Sequence, residues 1–224
     1  MANNLGINAE SIVSNADANF TFLKLVGKEY LPEHYLLNLQ NMKITSLYCK
    51  LYLGIDGLIS GEYDGMHYFS PELDDKWIEI FNPAVNDRSR APENKSILEV
   101  KAAFPFKAEE VKDWKKAKLD SEEQVLKKLE QVIPGIRSKI IVKDFATPKT
   151  IHRYTLNHNG TGFGWQVIPS QHWNNRLDNK TPIDGLFLTG HWTKPSTTIP
   201  PVINSGKMAA KLVLENLDYG IIKK

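Results

Sequence analysis

The residues best placed to do chemistry lie near the C-terminal end. Gly190-His191-Trp192 follows directly on the apolar run Leu186-Phe187-Leu188, and Ile199-Pro200-Pro201-Val202-Ile203 then opens a helical pattern. A glycine just past a buried strand lets a ligand approach the backbone closely, and the end of an open sheet is where nucleotides bind. A neutral histidine donates a hydrogen bond to a hydroxyl or phosphate oxygen. With Pro201 at the first helical position, the N–H groups of Val202 and Ile203 are expected to be unpaired and aimed at anionic or carbonyl-like atoms. The competing account is a surface loop with an incidental His191 and a packed Trp192. In both accounts the stripe Val202, Gly206, Ala209, Val213 and Leu217 is expected to pack on a sheet.

Other constellations point less sharply. Gly160-Thr161-Gly162-Phe163-Gly164 lacks both the full G-x-G-x-x-G spacing and a strand-then-helix context, so it reads as a flexible turn delivering Phe163 and Trp165 to a pocket wall. Asn15-Ala16-Asp17 reads as an Asx turn at a strand end. Arg153 and Tyr154 fit a solvated helix end as well as a pocket. The six histidines show no metal-ligand spacing, and no metal site is expected. Cys49, on an apolar strand face, reads as a small core residue.

The elements that must position these residues follow from periodicity. Ser11–Asp17 reads as a short strand ending in turn formers, Phe20–Val26 as a helix stopped by Gly27, and Glu29–Met42 as a helix. Ile44–Leu53 alternates cleanly. Leu47, Cys49, Leu51 and Leu53 share a core face, while Ser46, Tyr48, Lys50 and Tyr52 share an aromatic and polar face that can line a cavity. Trp77–Phe81 and Ser96–Phe104 alternate likewise across a turn-rich connector, suggesting an antiparallel sheet. Lys107–Lys118 reads as a solvated helix. Ser121-Glu122-Glu123-Gln124 reads as a capping box that starts a second helix, with the stripe Val125, Leu126, Leu129, Val132 and Ile133 and a stop at Pro134-Gly135. Ile140–Phe145 reads as a strand, after which Thr147 caps and Pro148 opens a short helix.

With 224 residues and 42% apolar content, the chain can bury one sizeable core or two small ones. Twenty-eight Lys and Arg against 26 Asp and Glu leave a formal net charge of +2 with interspersed signs, which argues against a nucleic-acid partner. One cysteine excludes an internal disulfide. No basic, apolar leader and no bilayer-length apolar run stand out, so a cytoplasmic location is expected.

Together with Ala146–Tyr154 and Gly160–Gly164, the segment Thr181–Ala210 resembles the C-terminal portion of phytoene desaturase-like FAD-dependent oxidoreductases, the carotenoid desaturases and isomerases of the amine-oxidase superfamily. The resemblance implies α+β structure in this fragment: the C-terminal part of an FAD-binding α/β domain (residues 1–27 and 148–224) with an inserted substrate domain of antiparallel sheet and helices (28–147). It implies FAD as cofactor, contacted by Gly190, His191, Trp192, Ile199, Pro200, Pro201, Val202 and Ile203, and a lipophilic polyene substrate beside Tyr48, Tyr52, Phe163 and Trp165. The catalytic residues stay unassigned. The family usually has an acidic residue at His191 and glycines near Ser196, Thr198 and Pro201. Its N-terminal G-x-G-x-x-G unit is not in these residues, so the expected partners are a separate FAD-domain chain or a second copy, and the chain is expected to expose a sheet edge near Ile12, Val13 and Leu186–Leu188. The resemblance also admits a non-enzymatic isoprenoid- or partner-binding protein, since the Rab escort and GDP-dissociation-inhibitor proteins are similar to this superfamily. A peripheral membrane contact through Tyr30–Leu39 is a further expectation.

Overall fold

The structure, a computed structural model, describes residues 6–60, 66–68 and 77–217. The chain divides into two compact units. One comprises Met1–Thr45, Leu156–His158 and Phe163–Lys224, and the other Ser46–Thr155 and Asn159–Gly162. The second unit starts later than residue 28 and retains the helix after residue 147. Residues 28–45 belong to the first unit, where Leu31 and Leu39 are buried in its core.

The second unit is a sheet backed by a helix. Strands β2 (Tyr48–Asp56), β3 (Met66–Tyr68), β4 (Ile78–Phe81), β5 (Lys95–Ala103) and β6 (Ile140–Ala146) pair antiparallel in the order β3-β4-β5-β2-β6. Alternation decides which face is dry: Cys49, Leu51, Leu53 and Ile55 of β2, with Ile78, Ile80, Leu98, Val100, Ala102 and Phe145, are all at most 2% exposed. Burial pushes the Cys49 thiol up to about 12, so it stays protonated and packs as a small apolar group.

The core is completed by one long helix, Trp114–Val132, rather than two helices meeting at Ser121. Asp113 is its true cap, accepting from the N–H groups of Lys115 and Lys116. Ser121 lies within the helix, fully buried, and donates to the Ala117 carbonyl at 2.6 Å. Its hydroxyl is satisfied one turn back, so the box-like spacing marks no helix start. The stripe Val125, Leu126, Leu129 and Ile133 is buried, and the chain leaves the helix through Gly135 at φ 79°.

The first unit is built on two short parallel strands, β1 (Ile12–Ser14) and β7 (Leu186–Leu188), in register Ile12 to Leu186 and Ser14 to Leu188. All three β7 residues are buried, so the exposed apolar edge expected there falls on β1 alone, where Ile12 is 55% and Val13 46% exposed. After β1, a short helix over Ala18–Phe20 runs into a π-helical stretch, Thr21–Val26, that ends at Gly27. The helix expected over Glu29–Met42 is interrupted at Leu31-Pro32. Only Glu33–Asn41 is α-helical, because Pro32 presets the backbone for a new start. Leu31 and Leu39 face the core, while Tyr30 and Leu37 remain exposed. The C-terminal helix of the described residues, α5 in chain order, spans Ile199–Asn216. It buries Ser205 and Ala209 and half-buries Val202, Val213 and Leu217, so the expected stripe holds except at Gly206, which is exposed where Ser205 takes its place. Among the described residues, no helix is long and apolar enough to cross a membrane.

Candidate functional site

The ends of β1 and β7 converge on one turn. Gly190 has φ 94°, and a side chain there would collide with the amide oxygen of Asn15. Ser205, fully buried on α5, accepts from the Gly190 N–H at 3.1 Å and from Asn179 Nδ2 at 3.0 Å. Asn179 in turn donates to the Leu188 carbonyl at 2.9 Å. A serine on a helix and an asparagine on a loop thus tie the strand end to the helix that follows. Asp17, 2% exposed, accepts from the Phe20 N–H at 2.9 Å and the His158 N–H at 2.7 Å. Asp17 thus caps the helix that starts at Ala18 rather than closing an Asx turn, and it adds a long-range bond.

His191 sits in this turn with its Nε2 buried and lacking a hydrogen-bond partner among the described residues. Burial chiefly lowers its pKa from 6.5. Arg176 adds to the lowering, while Asp17 opposes it. The ring is therefore mostly neutral at pH 7. Gly164, at φ 68°, packs its α-carbon against the His191 ring and carbonyl, leaving no room for a β-carbon. The glycine-rich segment is thus part of the candidate site's own packing. Its other end turns sharply through Asn159 at φ 50° and Gly160 at φ 73°.

Two predicted contacts prove to be core residues. Trp165 and Trp192 are each 1% exposed, their rings meet edge to face at 4.7 Å, and Trp165 Nε1 donates to the Trp192 carbonyl at 2.8 Å. Because the chain's own atoms already cover both rings, Trp165 is not a pocket wall, and any role for Trp192 in ligand contact falls to its backbone. Phe163 is 37% exposed.

The helix start also differs from expectation. Helix α5 begins at Ile199, which places Pro200 and Pro201 second and third, and the Val202 N–H is already bonded to the Thr198 carbonyl at 3.1 Å. Pro200 and Pro201 have no N–H to offer. Of the first four helical residues, only Ile199 has an N–H without a partner among the described residues, so the helix end offers its dipole more than hydrogen-bond donors. Ile199 and Ile203 are 77% and 69% exposed. The cap residue Thr198 has φ 80° and ψ 162°, a conformation natural to glycine and strained for a β-branched residue.

On the sheet unit, Tyr48, Lys50 and Tyr52 lie on the face opposite the core, as their alternation implies. Tyr48 is half-buried against Gly162, and Tyr52 is 37% exposed. Lys50 stands opposite Lys101 across the ladder, a repulsive pairing offset by ion pairs from Lys50 to Glu99 at 2.8 Å and from Lys101 to Glu79. Tyr154 is 78% exposed, and Arg153 rests over its ring, as on a solvated helix end.

Sequence reasoning missed Arg176. It is 3% exposed and donates to four backbone carbonyls: His191 at 2.8 Å, Thr193 and Trp165 at 3.1 Å, and Gln171 at 3.4 Å. Nothing in the segment Trp173-Asn174-Asn175-Arg176-Leu177 distinguishes this arginine from a solvated one, since its partners are main-chain atoms outside that segment that the fold brings together.

Comparison with known proteins gives a consistent setting for this geometry. Residues 50–214 match the family described as flavin containing amine oxidoreductase. The chain is 30% identical to a chloroplastic prolycopene isomerase of Daucus carota, over 97% of this chain and 37% of that protein. It is 26% identical to a lycopene-forming phytoene desaturase of Pseudescherichia vulneris, over 93% of this chain and 46% of that protein. The chain therefore spans less than half the length of these relatives. An oxidoreductase from Methanosarcina mazei shares the fold, with a TM-score of 0.54 and 16% identity over 93% of this chain and 43% of that one. With the matched residues covering most of its length, the chain belongs to the flavin containing amine oxidoreductase family.

Proposed function

We propose that this chain forms the flavin-edge and substrate-side portion of an FAD-dependent oxidoreductase that desaturates, isomerises or saturates a lipophilic isoprenoid polyene. The observation that carries the reading is the meeting of the β1 and β7 strand ends at the Gly190-His191 turn, tied to α5 through Ser205, in a chain of a flavin containing family. The names of its relatives, prolycopene isomerase and phytoene desaturase, point to the polyene class.

The residues present fit such a cofactor at one edge. His191 holds a buried ring nitrogen without a partner, Gly190 and Gly164 keep the turn free of side-chain bulk, and the dipole of α5 favours negative charge at its start. A bound flavin supplies the electron-accepting chemistry, and the protein's part is orientation and the exclusion of water. In this reading Gly190, His191 and the backbone of Trp192 contact the cofactor. Ile199, Pro200, Pro201, Val202 and Ile203 present the helix start, where the exposed Ile199 and Ile203 contribute apolar cover. Tyr48 and Tyr52 on the sheet, and Phe163 in the first unit, remain the substrate-side candidates. The adenine and pyrophosphate contacts would come from chain outside these 224 residues.

A second reading, that the chain acts by binding a partner, is favoured by a groove of about 620 Å³ lined by Ile12, Val13, Leu25, Val26, Ile183 and Leu186. Coexpression with the dinucleotide-binding segment of a phytoene desaturase, in cells that make a carotenoid precursor, tests both. The enzyme reading predicts a changed polyene absorption spectrum that depends on this chain. A complex that binds flavin yet leaves the polyene unchanged supports the binding reading instead.

A further inference from the structure

Arg176 is an arginine in a place where an arginine is costly. Its guanidinium is buried, no carboxylate is hydrogen-bonded to it among the described residues, and burial lowers its pKa to about 10. The nearest sequence acid, Asp178, is engaged with Lys194 at 2.7 Å. A buried charge without a counter-ion is tolerated only when its donors are met, and here four carbonyls meet them. Two of those carbonyls, of His191 and Thr193, belong to the candidate turn.

The consequence lies in the peptide planes. A trans peptide sets its N–H opposite its C=O. With the His191 carbonyl drawn to Arg176 and the Trp192 carbonyl drawn to Trp165, the N–H groups of Trp192 and Thr193 point the other way. The Trp192 N–H has no hydrogen-bond partner among the described residues, while that of Thr193 closes the turn over His191 and Trp192. The unpartnered Nε2 of His191 lies in the same turn. A free backbone N–H and a ring nitrogen beside a positive charge suit an electron-rich or anionic edge.

We propose that Arg176 is a positioning residue for the Gly190–Thr193 turn, holding its carbonyls inward so that the Trp192 N–H and the His191 ring face an acceptor-rich ligand edge, with a permanent positive charge behind them. That this edge belongs to a flavin rests on the function proposed above; the clamp itself does not. No carbon, hydride or proton transfer is assigned to Arg176.

The test uses the purified chain with Arg176→Gln and Arg176→Lys, reading the His191 ring signals by NMR between about pH 5 and 8. Two charged groups act on His191, Asp17 upward and Arg176 downward. Removing the positive charge makes the imidazolium less costly, so Arg176→Gln should raise the His191 pKa, while Arg176→Lys, which keeps the charge, holds it near wild type. A merely structural role would loosen both variants without this ordering. An unchanged His191 titration in a folded Gln variant overturns the proposal. If the Gln variant does not fold, Arg176→Lys decides: a His191 titration returned to the ordinary range refutes the charge behind the turn.

Adding FAD to the same proteins, each in complex with the dinucleotide-binding segment of a phytoene desaturase relative, separates the ligand from the clamp. Shifts at His191, Trp192 and Thr193 in the wild type, weakened about tenfold in Arg176→Gln, support both. A His191 titration that follows Arg176, in a protein whose turn signals ignore FAD, upholds the clamp and rejects the flavin as its ligand.

Discussion

The amide oxygen of Asn15 fills the space that a β-carbon at Gly190 would occupy, so the ends of the two parallel strands close on each other through a glycine. The φ of 94° at Gly190 demands glycine for a second, independent reason. Gly190→Ala should therefore cost at least ~2 kcal/mol of unfolding free energy in urea titrations. Adding Asn15→Ala should recover only the part due to the collision. Full recovery, or no loss in the single variant, would contradict this geometry.

Thr198 offers the opposite experiment. It holds a glycine-like φ of 80° with a branched side chain, and its side chain makes no capping hydrogen bond to α5. Thr198→Gly relieves that strain at the cost of a more flexible unfolded chain, and a net gain of about 1 kcal/mol is expected. Denaturant midpoints for the two proteins check it, and a loss of stability would show that the threonine side chain holds the turn.

His191 makes stability depend on pH. Its folded pKa lies below the unfolded value of 6.5, so the unfolded chain binds the proton more readily. The contribution is fully present above pH 6.5 and is lost as the pH falls through the folded value. Replacing His191 with Asn should flatten the decline in stability between about pH 7 and pH 5.5. Equal slopes for wild type and variant would place the ring in solvent.

The exposed apolar residues predict association. Ile12 and Val13 on β1, Leu25 beside them, and Ile199, Ile203 and Leu214 on α5 are all at least 46% exposed. An open β1 edge next to such residues favours self-pairing. Sedimentation should show dimers or larger species at micromolar concentration, reduced by Val13→Lys. A monodisperse wild-type monomer would count against the proposed docking of further chain on this side.

Much of this architecture was legible in the sequence because alternation and helical stripes report burial directly. The faces of Tyr48–Asp56 and Lys95–Ala103, the strand Leu186–Leu188 and the stops at Gly27 and Gly135 all follow from residue type. Ser121 misled because a serine three residues before glutamine has the spacing of a cap wherever it lies, and only the upstream Asp113 cap shows where the helix starts. The turn at Gly190 and the helix after it were legible in the sequence, but their hydrogen bonds were not. The paired Val202 N–H follows from Ile199 joining the helix. The core role of Trp165, the meeting of Gly164 with His191 and the Arg176 clamp depend on which distant main-chain atoms come together, and single-residue preferences do not encode that.

The central claim, that the Gly190-His191 turn grips a flavin, is tested most directly by flavin retention in a complex of this chain with the dinucleotide-binding segment of a phytoene desaturase relative. The chain by itself should not keep FAD through gel filtration, since the turn and helix start offer few contacts for so large a ligand. The complex should keep it, and His191→Ala should weaken retention about tenfold with folding unchanged. His191→Asp should retain flavin if a ribityl hydroxyl is its partner and repel it if a phosphate is. If the complex holds flavin equally well with histidine, alanine or aspartate at 191, the turn does not contact the cofactor and the account of this site is wrong.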